Sequence, residues 1–402
     1  MGNLLIAKAG SKRWSHVDLC VAFRCVHIHS PSICLLPMIP RSPATIPIFI
    51  LGAVLLLLLG ALGLPFAAGL PVQAWFADDP PPAAGIQGVT LDAKDRPGPA
   101  TYDRLERLGS SHVAIVPYIF QQDAQTPVFQ ANYGSGWATE NDQGIRSIAR
   151  ALDKRGIDLV LKPQLWLRDD TKGWLQNITF EEGPEWDQWK AGYREHLMHY
   201  ARMAERLEAD VFCVGTETDR LAASHPGFWR ELIADVRDVY SGELTYAANF
   251  GTFGQIPFWE ALDRIGVQAY FPLAAARGSV SVASLKRRWT PYKAALATEA
   301  RVHGRPVLFT EIGYRSAPHA AQQPWAWPAS GEQATMTPAP ELQARLYRAF
   351  FQSVWQEPWF SGALLWKWHR HEEAFYDERA IDYTPQGKPA EAVIRRWFSE
   401  QH

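Results

Sequence analysis

A single (β/α)8 barrel is the fold class this sequence predicts, and three observations predict it. From Gly85 onward, short apolar runs alternate with longer amphipathic ones in eight successive units. Such alternation argues for parallel strands joined by right-handed crossovers, and eight units in about 320 residues fit a closed barrel. The apolar runs also end on polar or aromatic residues, which is where a barrel builds its active site. A doubly wound open sheet is the rival, but it often carries a glycine-rich phosphate turn after its first strand. Gly85–Thr90 has no GxGxxG.

In chain order, Gly85–Leu91 is the first strand and Thr101–Leu108 its helix. HVAIVPY (His112–Tyr118) is the second strand, followed by a helix over Gln143–Lys154. IDLVLKP (Ile157–Pro163) is the third, with a long helix over Glu185–Leu207. Val211–Gly215 is the fourth and precedes a helix over Pro226–Tyr240. Leu244–Ala248 is the fifth, followed only by the short helical stretch Phe258–Leu262. IGVQAY (Ile265–Tyr270) is the sixth, with a helix over Val282–His303. Pro306–Thr310 is the seventh, and its helix spans Glu341–Gln356. GALLW (Gly362–Trp366) is the eighth, and the amphipathic Ala390–Phe398 closes the chain.

What precedes the barrel differs in composition. Residues 1–37 lack periodicity and carry three of the four cysteines, and they are expected to be a dispensable extension with Met38 as the working start. Residues 38–74 have the form of an export segment: Arg41, then the uncharged run Ile48–Leu64, then a small-x-small site at Val72-Gln73-Ala74. Its apolar run lies at the boundary between a signal peptide and a short membrane span. Cleavage and retention as an N-terminal anchor both fit. Either way the body, residues 85–402, is expected outside the cytoplasm, secreted, periplasmic or anchored. Residues 75–84, with Asp78–Ala84 rich in proline, form a stiff spacer. A net charge of −2 without a basic run gives no footprint for nucleic acid. With one cysteine, Cys213, left in the body, no disulfide framework is available there.

Two strands end on carboxylates. RPVLFTEIGYRS (Arg305–Ser316) delivers Glu311 from an apolar run, and DVFCVGTETD (Asp210–Asp219) delivers Glu217 in the same way. A charge at the mouth of an apolar strand is costly unless paired or used. The fourth and seventh strands face each other across an eight-stranded barrel, so the two glutamates make a pair of the kind that cleaves glycosidic bonds. In that role Glu311 is the nucleophile, with Tyr270 as a hydroxyl neighbour that keeps it ionised, and Glu217 is the acid/base in a drier setting. The bland alternative pairs either glutamate with Arg220 or Arg315. The 17 tryptophans supply flat apolar faces suited to sugar rings as well as to a core. Gln164 and Trp166 after the third strand, Asn249 after the fifth and Trp366 at the end of the eighth are the further candidate sugar contacts.

GTE at the fourth strand, VQAYFPL at the sixth and FTEIGYRS at the seventh resemble glycoside hydrolase family 113. KPQLW at the third and ALLWKW at the eighth fit the same pattern. The resemblance spans about residues 85–400 and implies a retaining (β/α)8 glycosidase of clan A acting on β-1,4-mannan. It implies Glu217 as acid/base, Glu311 as nucleophile, Tyr270 as its positioner and Trp366 as the floor of the sugar site. One departure is Thr216, where many clan members have an asparagine that touches the sugar 2-hydroxyl. Thr216 can donate one hydrogen bond there, and Asn249 can take part of that role.

No metal or organic cofactor is expected. His369-Arg370-His371 lacks a matching ligand cluster, and Ser110, Ser111 and Ser241 lack a nucleophile elbow. A monomer with a carbohydrate substrate is the expectation. Two other functions use the same features: a glycan-binding barrel without activity, which has no need of both glutamates, and a transglycosylase with the same carboxylate pair.

Overall fold

Alternating strands and helices close on themselves in this chain, as a computed structural model describes for residues 85–275, 280–327, 335–370 and 380–399. The expected segments 1–37, 38–74 and 75–84, including Ile48–Leu64, lie outside the described residues, as does His371. Among the described residues no helix is long and apolar enough to cross a membrane.

The first strands are β1 (Ile86–Asp92), β2 (His112–Ile115), β3 (Tyr118–Gln121), β4 (Phe129–Ala131), β5 (Asp158–Leu161) and β6 (Gln164–Leu167). They are followed by β7 (Val211–Thr216), β8 (Glu243–Asn249), β9 (Arg264–Gln268), β10 (Val307–Ile312) and β11 (Phe360–His369). Eight of them form a closed barrel in the order β1-β11-β10-β9-β8-β7-β5-β2. Every neighbouring pair in the barrel is parallel. The helices are α1 (Pro99–Leu108), α2 (Asp142–Asp153), α3 (Pro184–Arg206), α4 (Asp219–Ser224), α5 (Pro226–Arg237), α6 (Val282–His303), α7 (Pro340–Val354) and α8 (Pro389–Ser399).

Local chemistry explains where these helices begin. Proline opens α1, α3, α5 and α7, where its missing N–H costs nothing. At α2 the Asn141 side chain accepts from the Gly144 N–H at 2.8 Å. That helix then buries Ile145, Ile148, Ala149 and Leu152, one face at helical spacing.

The second and third strands end earlier than expected, and each is followed by a further strand that the sequence reading did not separate. β2 stops at Ile115 and β5 at Leu161; Pro117 and Pro163 follow, and β3 then pairs with β6 on one side and with β4 on the other in a separate three-stranded sheet. A proline has no N–H for the ladder, so continuous strands through both positions are disfavoured. The expected helical stretch Phe258–Leu262 is only a 3-10 turn, Trp259–Ala261. Within the barrel, Ile86, Ala114, Val160, Val211, Leu308 and Leu364 form a small apolar plug. The larger core lies between strands and helices. Seven of the tryptophans (Trp186, Trp189, Trp229, Trp259, Trp289, Trp359 and Trp368) are fully buried, so for these the core reading holds. At Gly362 a φ of +127° and the approach of β1 both require glycine, because a Cβ would lie 2.3 Å from the Ile86 carbonyl oxygen.

Behind the end of β11 a polar knot fixes the chain. His369 Nε2 lies 3.3 Å from Asp382 Oδ2, the Tyr383 N–H donates to Asp382 Oδ1 at 2.6 Å, and Gln386 binds both backbone groups of His369. Burial raises the Asp382 carboxyl, but the His369 hydrogen bond and charge, the Tyr383 N–H and Lys367 outweigh it and hold it at about 2. A carboxyl depressed in this way contributes stability that is complete above its unfolded value of about 4 and is lost as pH falls through about 2. Asp382→Asn is therefore expected to lower stability at pH 7 by about 2–3 kcal/mol. The deficit against the native protein should shrink progressively as urea unfolding is repeated from pH 4 down to pH 2.

Candidate active site

The mouth of the barrel brings the two strand-end glutamates into one electrostatic unit. Glu217 follows β7 directly and its N–H donates to the Ala247 carbonyl at 2.9 Å. Its φ is +51°, in the left-handed region that costs a non-glycine residue about 1–2 kcal/mol. Such strain persists only where the surroundings over-determine it, which is common at functional sites. The surroundings here are specific. Asn249, the last residue of β8, donates its Nδ2 to Glu217 Oε1 at 2.9 Å. Asn249 is held in turn by its own N–H, which donates to Asp219 Oδ2 at 2.8 Å. Asp219 also accepts from the Tyr246 hydroxyl at 2.8 Å and from the Thr252 hydroxyl. Burial first, and then the charge of Glu311, push the Glu217 carboxyl up to about 7, against the opposing Asn249 hydrogen bond.

Glu311 has the opposite setting. It lies on β10, 4% exposed, and both its oxygens are engaged. The Tyr270 hydroxyl donates to Oε2 at 2.7 Å, and Lys162 Nζ donates to Oε1 at 2.6 Å. Burial beside Glu311 raises the Tyr270 hydroxyl well above its ordinary range, so it remains a donor. Lys162 is wholly buried, and its ammonium also donates to Gln164 Oε1 at 3.0 Å. Both oxygens of Glu311 are thus met by donors, one of them charged.

The alternative ion pairs do not form. Glu311 pairs with Lys162, while Arg315 Nε donates to the Ile381 carbonyl at 3.2 Å and its guanidinium lies 4.2 Å from the Trp327 ring centroid. Arg220 is exposed.

Of the expected sugar contacts, Gln164, Asn249 and Tyr270 join the two glutamates through direct or Lys162-bridged hydrogen bonds. Trp366 is half-buried on β11, with the Lys367 ammonium 5.4 Å from its ring centroid and Lys367 itself paired with Asp92. Trp166 is 41% exposed on β6, edge-on to Trp174 and Tyr118, with centroids 5.3 Å away in both cases. Thr216 is buried at the end of β7, its hydroxyl 3.9 Å from Cys213 Sγ. Across the mouth, Trp325 stacks on Phe250, the neighbour of Asn249, at 5.2 Å.

Sequence reasoning missed Lys162 and Asp219. A charged residue inside the apolar IDLVLKP was the available signal, because a lysine is almost never fully buried without a partner. His369 is taken up by Asp382, and among the described residues no cluster of three His, Cys, Asp or Glu is placed to hold a metal ion.

The chain matches the sequence profile of Glycoside Hydrolase Family 113 over residues 93–388. Among solved structures it is similar to a β-mannanase from Alicyclobacillus acidocaldarius in complex with ManMIm. The two are 30% identical over 79% of this chain and 98% of that one, with a TM-score of 0.68. It is also similar to a β-1,4-mannanase complex at 25% identity, over 79% of this chain and 100% of that one, with a TM-score of 0.68. A Faecalibacterium prausnitzii β-glucuronidase shares the fold alone, at 12% identity over 79% of this chain and 49% of that one, with a TM-score of 0.51. No curated protein matches the chain.

Proposed function

Because the chain belongs to glycoside hydrolase family 113, and is a glycoside hydrolase, we propose that it cleaves β-1,4-mannan or manno-oligosaccharides with retention of configuration. Glu311 is the nucleophile in this reading and Glu217 the acid/base. The observation that carries it is the contrast between the two carboxyls. Both Glu311 oxygens accept hydrogen bonds, one from the buried Lys162 ammonium and one from Tyr270, while Glu217 keeps a proton up to about pH 7. Two carboxyls in settings this different divide the roles of nucleophile and proton donor.

The reaction then runs in two displacements. A Glu311 oxygen forms a bond to the anomeric carbon as the glycosidic C–O bond breaks, and the departing oxygen takes the Glu217 proton. Glu217, now a carboxylate, takes a proton from water; the water oxygen attacks the anomeric carbon and Glu311 leaves as a carboxylate. Trp366 and Trp166 present apolar faces suited to the sugar rings. A barrel that only binds glycan has no use for this acid–anion contrast.

The test is hydrolysis of a panel of β-linked manno-, gluco- and xylo-oligosaccharides, with products followed by mass spectrometry and the first-released anomer by NMR. Cleavage of the manno-series to the β-anomer is expected. First release of the α-anomer would overturn retention, and cleavage confined to another series would overturn the substrate. Action outside the cytoplasm belongs to the same proposal and rests on Ile48–Leu64. Recovery of the native protein in the cytosolic fraction would count against it.

A further inference from the structure

We propose that Lys162 is a positioning residue for this reaction: a fixed positive charge that holds Glu311 as the attacking carboxylate and, once Glu311 is esterified, converts Glu217 from proton donor to proton acceptor. The proposal rests on the double-displacement reading above. Its basis is geometric. Lys162 sits just past β5 with no exposure, and its ammonium reaches Glu311 Oε1 at 2.6 Å and Gln164 Oε1 at 3.0 Å. A buried ammonium needs an anion, and here that anion is the group whose charge the reaction removes.

The groups facing the site are few. Lys162 is faced by Glu311 from β10, Gln164 from β6, Cys213 from β7 and Glu217 beyond β7. Glu217 is faced by Glu311, Asn249, Asp219, Lys162 and the Tyr270 hydroxyl. Glu311 is faced by Lys162 and Glu217 and by the hydroxyls of Tyr270, Tyr118 and Tyr383.

Before reaction, the Glu311 anion raises the Glu217 carboxyl and Lys162 opposes it. In the glycosyl ester Glu311 carries no charge, so its influence on Glu217 disappears while that of Lys162 stays. The remaining carboxyl on which the buried ammonium acts is then Glu217. Loss of the Glu217 proton to the departing oxygen is thereby favoured, and the resulting carboxylate is ready to take a proton from water. An opposite charge favours the ionised form of a carboxyl, and Lys162 acts on Glu217 in that direction.

The test is the titration of Glu217 itself, followed by carbon-13 NMR of labelled glutamate and assigned by its loss in Glu217→Gln. Glu311→Gln removes the charge as the ester does. Glu311→Gln/Lys162→Met removes both members of the buried pair, so no lone charge is left to prevent folding. The Glu217 titration is expected to lie measurably higher in the double variant than in the single one. Equal values would overturn the proposal. In otherwise native protein, Lys162→Met should accumulate the glycosyl adduct on an aryl mannoside with a good leaving group. The acid limb of its kcat profile should move to higher pH; lower kcat with unmoved limbs would leave Lys162 a merely structural role and overturn the proposal. Trapping with a fluorinated mannosyl fluoride separates the two readings. An adduct on Glu311 together with equal Glu217 titrations overturns the Lys162 switch alone, whereas no adduct overturns double displacement.

Discussion

Glu311→Ala should lower kcat on mannan by on the order of 10⁴-fold or more, because a covalent step loses its nucleophile. The deletion also leaves Lys162 as a buried ammonium without its anion, which costs several kcal/mol, so reduced stability should accompany the loss. Azide distinguishes the two effects. A small anion fits the space the carboxylate vacates, restores the negative charge beside Lys162 and attacks the anomeric carbon from the same side as Glu311. With a mannoside bearing a good leaving group, azide should restore turnover and yield the α-mannosyl azide, identified by NMR. A β-azide would mean that Glu311 does not lie on the nucleophile's face. An active Glu311→Ala protein without azide would remove Glu311 from the mechanism altogether.

Much of this site was legible in the sequence because its signals are local. Glu217 and Glu311 stand out as charges at the ends of apolar runs, and Tyr270 lies at the end of another. Lys162 was not legible in the same way. Its counter-charge lies 149 residues away, and a lysine beside a proline at a strand end reads equally well as a solvated turn. Pro117 and Pro163 were visible too, but the three-stranded sheet they help create depends on β3 and β6 meeting in space. Tryptophan count likewise has two meanings that only packing separates: Trp189 and Trp289 are core, while Trp166 and Trp325 are exposed. Helix propensity over Phe258–Leu262 was overridden along the path from β8 to β9, which folds instead into two 3-10 turns, Phe253–Gln255 and Trp259–Ala261.

Glu217→Gln should separate the chemistry of the site from its stability. The carboxyl that gives the native protein a proton donor near neutral pH is raised to about 7, first by burial and then by Glu311. Between the unfolded value of about 4.3 and that folded value, the folded chain binds the extra proton, so stability falls as pH rises through the interval. Glutamine has no such proton to lose. The variant is therefore expected to match the native melting temperature near pH 4 and to exceed it at pH 8. Activity should move the other way. On mannan, whose leaving oxygen needs a proton, kcat should fall about 10²–10⁴-fold. On a mannoside with an acidic leaving group the first displacement needs little help, so a burst of released aglycone should precede slow turnover, and azide should accelerate turnover to give the β-mannosyl azide. The native site thus holds a carboxyl in a protonated, strained and destabilising state that the fold alone does not need. Equal stability of the two proteins at pH 8, with activity lost, would mean that Glu217 works as a proton donor without being held in that raised state.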